Sequence, residues 1–141
     1  MIAVDTNVLV YAHREDMAQH PRGLQALTAL AEGAQPWALP VFVINEFLRV
    51  VTHRRVFAVP STRSQATAAV QALLESPTVQ MLRPGPRFWP LLTDTLDDGD
   101  AKGDVVLDAA IVAVCREHGA NTVLTMDRDF RRFSQISVRT L

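Results

Sequence analysis

Apolar residues run along this chain in two rhythms. Short, nearly continuous apolar runs at Met1–Val4, Trp37–Leu39, Thr78–Leu82, Asn121–Thr125 and Ile136–Thr140 predict strands. Between them, apolar positions recur at helical spacing. Thr6 or Asn7 is placed to cap a short helix reaching about Tyr11. Pro21 opens a helix carrying Leu24, Leu27, Leu30 and Ala31 on one face, and Gly33 ends it. Val41–Arg54 brings Val43, Phe47, Val50 and Val51 together, and Thr62–Leu74 does the same for Ala66, Ala69, Val70 and Leu73. In Pro84–Asp98 a helical face of Phe88, Leu91, Leu92 and Leu96 is compatible with Pro90 only if that proline lies in the first turn. Asp104–His118 predicts a helix closed by Gly119.

Strands that alternate with helices predict a three-layer α/β/α sandwich around a mostly parallel sheet, with residues 1–141 as one domain. Ligands of such sheets bind at the carboxyl ends of the strands. Asp5 and Asp127 each lie just past a predicted strand end.

Composition narrows the function classes. Of 141 residues, 48% are hydrophobic and 21% charged, which is ordinary for a globular chain and excludes a disordered one. The net charge of −1 gives no general nucleic-acid footprint, so any such contact needs a local patch or a metal ion. A lone cysteine, Cys115, excludes an internal disulfide. No basic leader precedes the first apolar run, and no stretch reaches the roughly 18 apolar residues of a membrane helix. The expectation is a cytoplasmic protein with no membrane association.

Two further carboxylates sit where packing rules disfavour them. Glu46 lies within VFVINEFLRVV, and Asp108 within DVVLDAAIVAVC, the most apolar helix of the chain. An ionised carboxylate beside a core is costly unless it is paired or bound to a metal. Helices over one sheet edge would bring Glu46 and Asp108 to Asp5 and Asp127, where mutual repulsion favours a hard divalent cation. A pocket of four carboxylates therefore points to Mg²⁺, with Mn²⁺ as a substitute, acting on a phosphodiester.

VDTNVLVYA, INEFLRVV, DAAIVAVCREHGA and VLTMDRDFRRF, in this order and spacing, resemble the PIN-domain ribonucleases, and most closely the VapC toxins of bacterial toxin–antitoxin pairs. The resemblance covers essentially the whole chain. It implies Asp5, Glu46, Asp108 and Asp127 as the catalytic acids, with Asp5 and Asp108 as principal metal ligands. Asn7 and Thr125 match small polar positions that orient those acids. Asp104, one turn before Asp108, could share its face, and Asp129, two residues past Asp127, could replace or assist it, Asp127 being favoured because it directly follows the strand end. The resemblance also implies an RNA substrate, products with a 5′-phosphate and a 3′-hydroxyl, arrest of translation, a homodimer, and a cognate VapB-type antitoxin. The Pro21–Gly33 and Thr62–Leu74 helices are candidates for a groove that holds a helix of that antitoxin, with an inserted arginine reaching the acids.

Basic residues flank these corners. Arg54 and Arg55 end the Glu46 helix, Arg128, Arg131 and Arg132 surround Asp127, and Tyr11, His13 and Arg14 follow Asp5. Among these, Arg14, Arg128 and Arg131 are the candidate RNA contacts. His13, His20, His53 and His118 share no metal-ligand spacing, and the glycines of GDAKGD do not make a phosphate loop. Two other readings remain: a non-catalytic PIN-like interaction module, and an aspartate-based phosphatase. The second is disfavoured because Asn7 stands where a second aspartate would be needed.

Overall fold

The computed structural model describes residues 1–141. Its elements are β1 (Ile2–Val4), α1 (Thr6–His13), α2 (His20–Ala31), β2 (Trp37–Pro40), α3 (Val41–Val51), α4 (Arg63–Leu74), β3 (Val79–Leu82), α5 (Phe88–Asp98), α6 (Val105–Glu117), β4 (Thr122–Leu124), a 3₁₀ turn (Arg128–Arg132) and β5 (Ser137–Arg139). The five strands form one sheet in the order β3-β2-β1-β4-β5, and every pairing is parallel. Parallel strands need a crossover between neighbours, so each strand from β1 to β3 is followed by a helical pair. The first two crossovers step outward from β1 to β3, and the third returns past β1 to β4. Right-handed crossovers then put α5 and α6 on the face opposite the earlier helices. The result is the expected α/β/α sandwich.

Covering both faces explains why the central strands read as unbroken apolar runs. Ala3, Val4, Trp37, Ala38, Leu39 and Val123 are fully buried, whereas the edge strands β3 and β5 alternate with solvent. Each of the predicted helices forms, with shifted ends. Pro90 sits in the first turn of α5, where a missing N–H costs nothing. Gly119, at φ +73°, takes the left-handed conformation that closes α6, and Ala120 N–H bonds back to the Cys115 carbonyl. Gly23 lets α2 approach α1, since a Cβ there would lie 2.7 Å from that of Tyr11.

Three local expectations change. The cap of α1 is Asp5 itself, whose carboxylate accepts from Thr6 N–H, and the helix runs to His13. Helix α3 stops at Val51, so Arg54 and Arg55 lie beyond it. Leu24 is 45% exposed rather than inward, because α2 turns Gly23 and Leu27 to α1. No helix is long and apolar enough to cross a membrane.

Strands β1 and β4 are neighbours whose onward connections leave in opposite directions, to β2 and to β5. A crevice opens outside the carboxyl ends of two such strands. Asp5 and Thr125 are the residues that follow them, and the N–H of Asp5 donates to the Leu124 carbonyl at 3.0 Å.

Candidate active site

Asp5 ends β1 and caps α1, so its position is fixed from two sides. It is only 4% exposed, yet both carboxylate oxygens are satisfied. One accepts from Thr6 N–H at 2.7 Å; the other accepts from Asn7 Nδ2 at 2.7 Å and from Thr125 Oγ1 at 2.6 Å. Thr125 Oγ1 also accepts from Asn7 Nδ2 at 3.0 Å and from the Asp127 N–H at 2.9 Å. One donor and two acceptor positions exhaust what a hydroxyl offers. Asn7 completes the frame by accepting from the Met126 N–H through Oδ1. These bonds tie the ends of β1 and β4 into one rigid corner.

From that corner the chain turns through Asp127, whose Oδ1 accepts from the Asp129 N–H at 2.8 Å and caps the 3₁₀ turn. The turn buries Phe130 and carries Asp129 back toward α6. Carboxylate oxygens of Asp108, Asp127 and Asp129 all lie within 4.8 Å of one another. Asp129 therefore stands beside Asp127 in the site rather than replacing it.

A cavity of about 880 Å³ gathers Asp5, Glu46, Asp104, Asp108, Asp127 and Asp129. Glu46 reaches it from α3, and Asp104 and Asp108 from the first turn of α6. Arg49 is the single cation in the lining, and it is committed to Glu46 at 2.6 Å. Burial, and then repulsion from Asp5, Asp127, Asp129 and Glu46, pushes the Asp108 carboxyl up to about 7. Burial raises Asp5 to about 6, although its bonds from Thr125 and Thr6 pull the other way. Asp108 has no hydrogen-bond partner, so nothing nearby offsets its charge. Thr6, also in the lining, has a buried Oγ1 with no partner. Crowded, uncompensated carboxylates offering only hard oxygen donors fit a divalent cation such as Mg²⁺.

The rest of the lining is largely apolar, from Val10, Tyr11, Met17, Phe42, Val50, Val56, Phe57 and Val105–Leu107. Helix α4 is absent from it, and α2 lines instead a separate cleft with Arg22, Ala26 and Leu30. The groove beside the acids is thus made by α1, α3, α6 and the Val56–Phe57 segment rather than by the two helices expected from sequence. Its signal was present as an apolar Val-Phe pair in an otherwise basic stretch. Arg14 does not face the acids. Its guanidinium lies 4.1 Å over the Phe57 ring and pairs with Asp16 at 2.7 Å. His13 bonds to Ser61 at 2.9 Å and packs edge-on to Phe47. Arg128 and Arg131 are exposed on the 3₁₀ turn outside the cavity lining, and Arg132 pairs with Asp129 at 3.2 Å.

Comparison with known proteins identifies the family. Residues 2–136 match the PIN domain family model. The VapC ribonuclease Mb2897 of Mycobacterium bovis is 43% identical over 139 residues, covering 99% of this chain and 94% of that protein. Ribonuclease VapC25 of Mycobacterium tuberculosis is 38% identical, covering 96% and 95%. Among solved structures, Mycobacterium tuberculosis VapC20, a Sarcin-Ricin loop cleaving toxin, shares the fold with TM-score 0.69 at 20% identity, over 97% of this chain and 99% of that one. The Rickettsia felis VapBC2 complex, bound to a promoter DNA fragment, aligns with TM-score 0.68 at 17% identity, over 99% and 98%. With the family model spanning nearly the whole length and the identity sustained from end to end, the chain belongs to the PIN-domain family, among the VapC ribonucleases.

Proposed function

We propose that this chain is a Mg²⁺-dependent endoribonuclease, the toxin of a toxin–antitoxin pair. The observation that carries the reading is the convergence of Asp108, Asp127 and Asp129 within 4.8 Å, in the cavity that the buried, fully bonded Asp5 also lines. Asp5, Asp108, Asp127 and Asp129 would hold the cation. When bound, it would lower the pKa of a water and offset charge on the phosphoryl oxygens. Thr125 and Asn7 fix Asp5 so that its carboxylate cannot swing away from the cavity. Glu46, oriented by Arg49, is the acid best placed to accept a proton from the attacking water. Its pairing with Arg49 holds the carboxylate in one orientation. Proton loss from water, attack on phosphorus and departure of the 3′ oxygen would leave a 5′-phosphate and a 3′-hydroxyl.

The apolar lining supports a partner as well. Val56 and Val106 are 52% and 40% exposed, a poor arrangement for a lone chain and a suitable one for an antitoxin helix. An arginine on that helix would meet the acids with bidentate bonds and compete with the cation. The VapBC structures of Rickettsia felis and Salmonella typhimurium, which share this fold, support the same partner class. A second copy of the chain is the homodimer alternative.

The test is direct. Purified protein cuts RNA in Mg²⁺, stops in EDTA and resumes with Mn²⁺; a co-expressed antitoxin suppresses it. Undiminished cutting in chelator removes the metal from the account, and a protein that binds Mg²⁺ but cuts no RNA removes the substrate.

A further inference from the structure

Trp89 is 69% exposed, whereas Trp37 is fully buried in the core. An indole left in water contributes little to this fold and leaves a large apolar face free. Its position gives that face a context. Trp89 lies in the first turn of α5, the helix that follows the edge strand β3. Phe88, beside it in sequence, stacks on Phe42 with centroids 5.6 Å apart and planes 27° apart. Phe42 in turn lines the acidic cavity together with Glu46 and Asp104. Two strand spacings, about 10 Å, separate β1 from β3. The stacked Phe42–Phe88 pair thus leads from the cavity lining to the start of α5 at the open β3 edge, where Trp89 stands exposed.

Charge along this edge differs from that in the cavity. Arg83 and Arg87 frame the β3–α5 connection. Arg83 is exposed with no ion pair, and Arg87 spends one nitrogen on the Glu117 carbonyl. The neighbouring acids are occupied: Glu117 accepts from the Gly85 and Arg87 N–H groups, and Asp94 pairs with Arg116 at 2.7 Å. Pro84, Pro86 and Pro90 stiffen the corner, so little order is lost when something binds there.

We infer that Phe42, Phe88 and Trp89, flanked by Arg83 and Arg87, form a base-stacking subsite for single-stranded RNA entering the acidic cavity, an inference that rests on the ribonuclease reading. Aromatic faces accept any base, while the arginines meet the phosphates between them. The subsite sets affinity for an unpaired flank and leaves the chemistry to the acids.

Because Trp37 is enclosed, fluorescence quenching reports on Trp89. A mixed-sequence single-stranded RNA, titrated into the full chain in EDTA and checked intact on a gel, is expected to quench emission saturably. Trp89→Ala weakens binding about 5- to 20-fold, Trp89→Phe retains most of it, and a duplex of the same sequence binds poorly. Unchanged affinity in Trp89→Ala overturns the inference while leaving the ribonuclease reading intact. A blue shift that grows with protein concentration alone overturns it in favour of a contact between copies. Failure of the wild-type chain to bind RNA in EDTA overturns the inference, whereas the ribonuclease reading falls only if no RNA is cut in Mg²⁺.

Discussion

Thr125 Oγ1 donates to Asp5 Oδ2 at 2.6 Å across 120 residues of sequence, and the same hydroxyl accepts the Asp127 N–H at 2.9 Å. One hydroxyl therefore sets the position of a buried carboxylate and of the chain that carries two more. The hydroxyl is expected to be irreplaceable by a methyl of equal size. Thr125→Val removes one of the two bonds to Asp5 Oδ2 and strands the Asp127 N–H, at a cost of about 1–3 kcal/mol in urea unfolding, and lowers cleavage. Thr125→Ser keeps all three bonds and most of both properties. Equal stability in the two variants would remove Thr125 from the frame.

Asp108 and Asp5 should respond oppositely to neutralisation. Asp108 has no hydrogen bond and faces four like charges, so Asp108→Asn stabilises the metal-free protein at pH 8 by on the order of 1 kcal/mol. Asp5→Asn turns an NH₂ group toward donors from Asn7 and Thr125 and destabilises it. Both cut RNA at least roughly a hundredfold more slowly. Melting curves and cleavage rates on the two variants separate the effects.

Stability without metal should fall as pH rises. Asp5 and Asp108 ordinarily titrate near 3.8, but in the fold they reach about 6 and about 7. The folded state thus holds protons that the unfolded state releases. Their stabilisation is complete below pH 4 and lost through pH 6 to 7. Calorimetric melting of the wild type, compared with Asp108→Asn to cancel other groups, should show this slope. Saturating Mg²⁺ should reverse it above pH 7, where the carboxylates bind metal best.

Much of the architecture could be read from sequence, because the two sheet-covering layers force long apolar runs and clear helical faces. Asp5 and Asp108 stood out for the same reason: each breaks an apolar pattern that packing alone would have kept. The 3₁₀ turn was missed because RDFRR is too short and too charged to show a period. Its only trace is Phe130 and Phe133, three apart and both buried. The sequence put Asp127 ahead of Asp129 because it follows the strand end; the turn brings both to the cavity. Arg14 misled because a guanidinium near an acidic corner reads as a phosphate contact, while its real partners, Phe57 and Asp16, depend on tertiary packing.

The measurement closest to the central claim is the chemistry of the RNA ends. Wild-type protein and Asp108→Asn are incubated with RNA in Mg²⁺ or in EDTA, and the new 5′ ends are captured and sequenced. The account predicts 5′-phosphate ends at discrete positions from the wild type in Mg²⁺ alone, with the variant and the chelated sample blank. Ends that persist in EDTA or in Asp108→Asn, or that carry a 5′-hydroxyl, would contradict it.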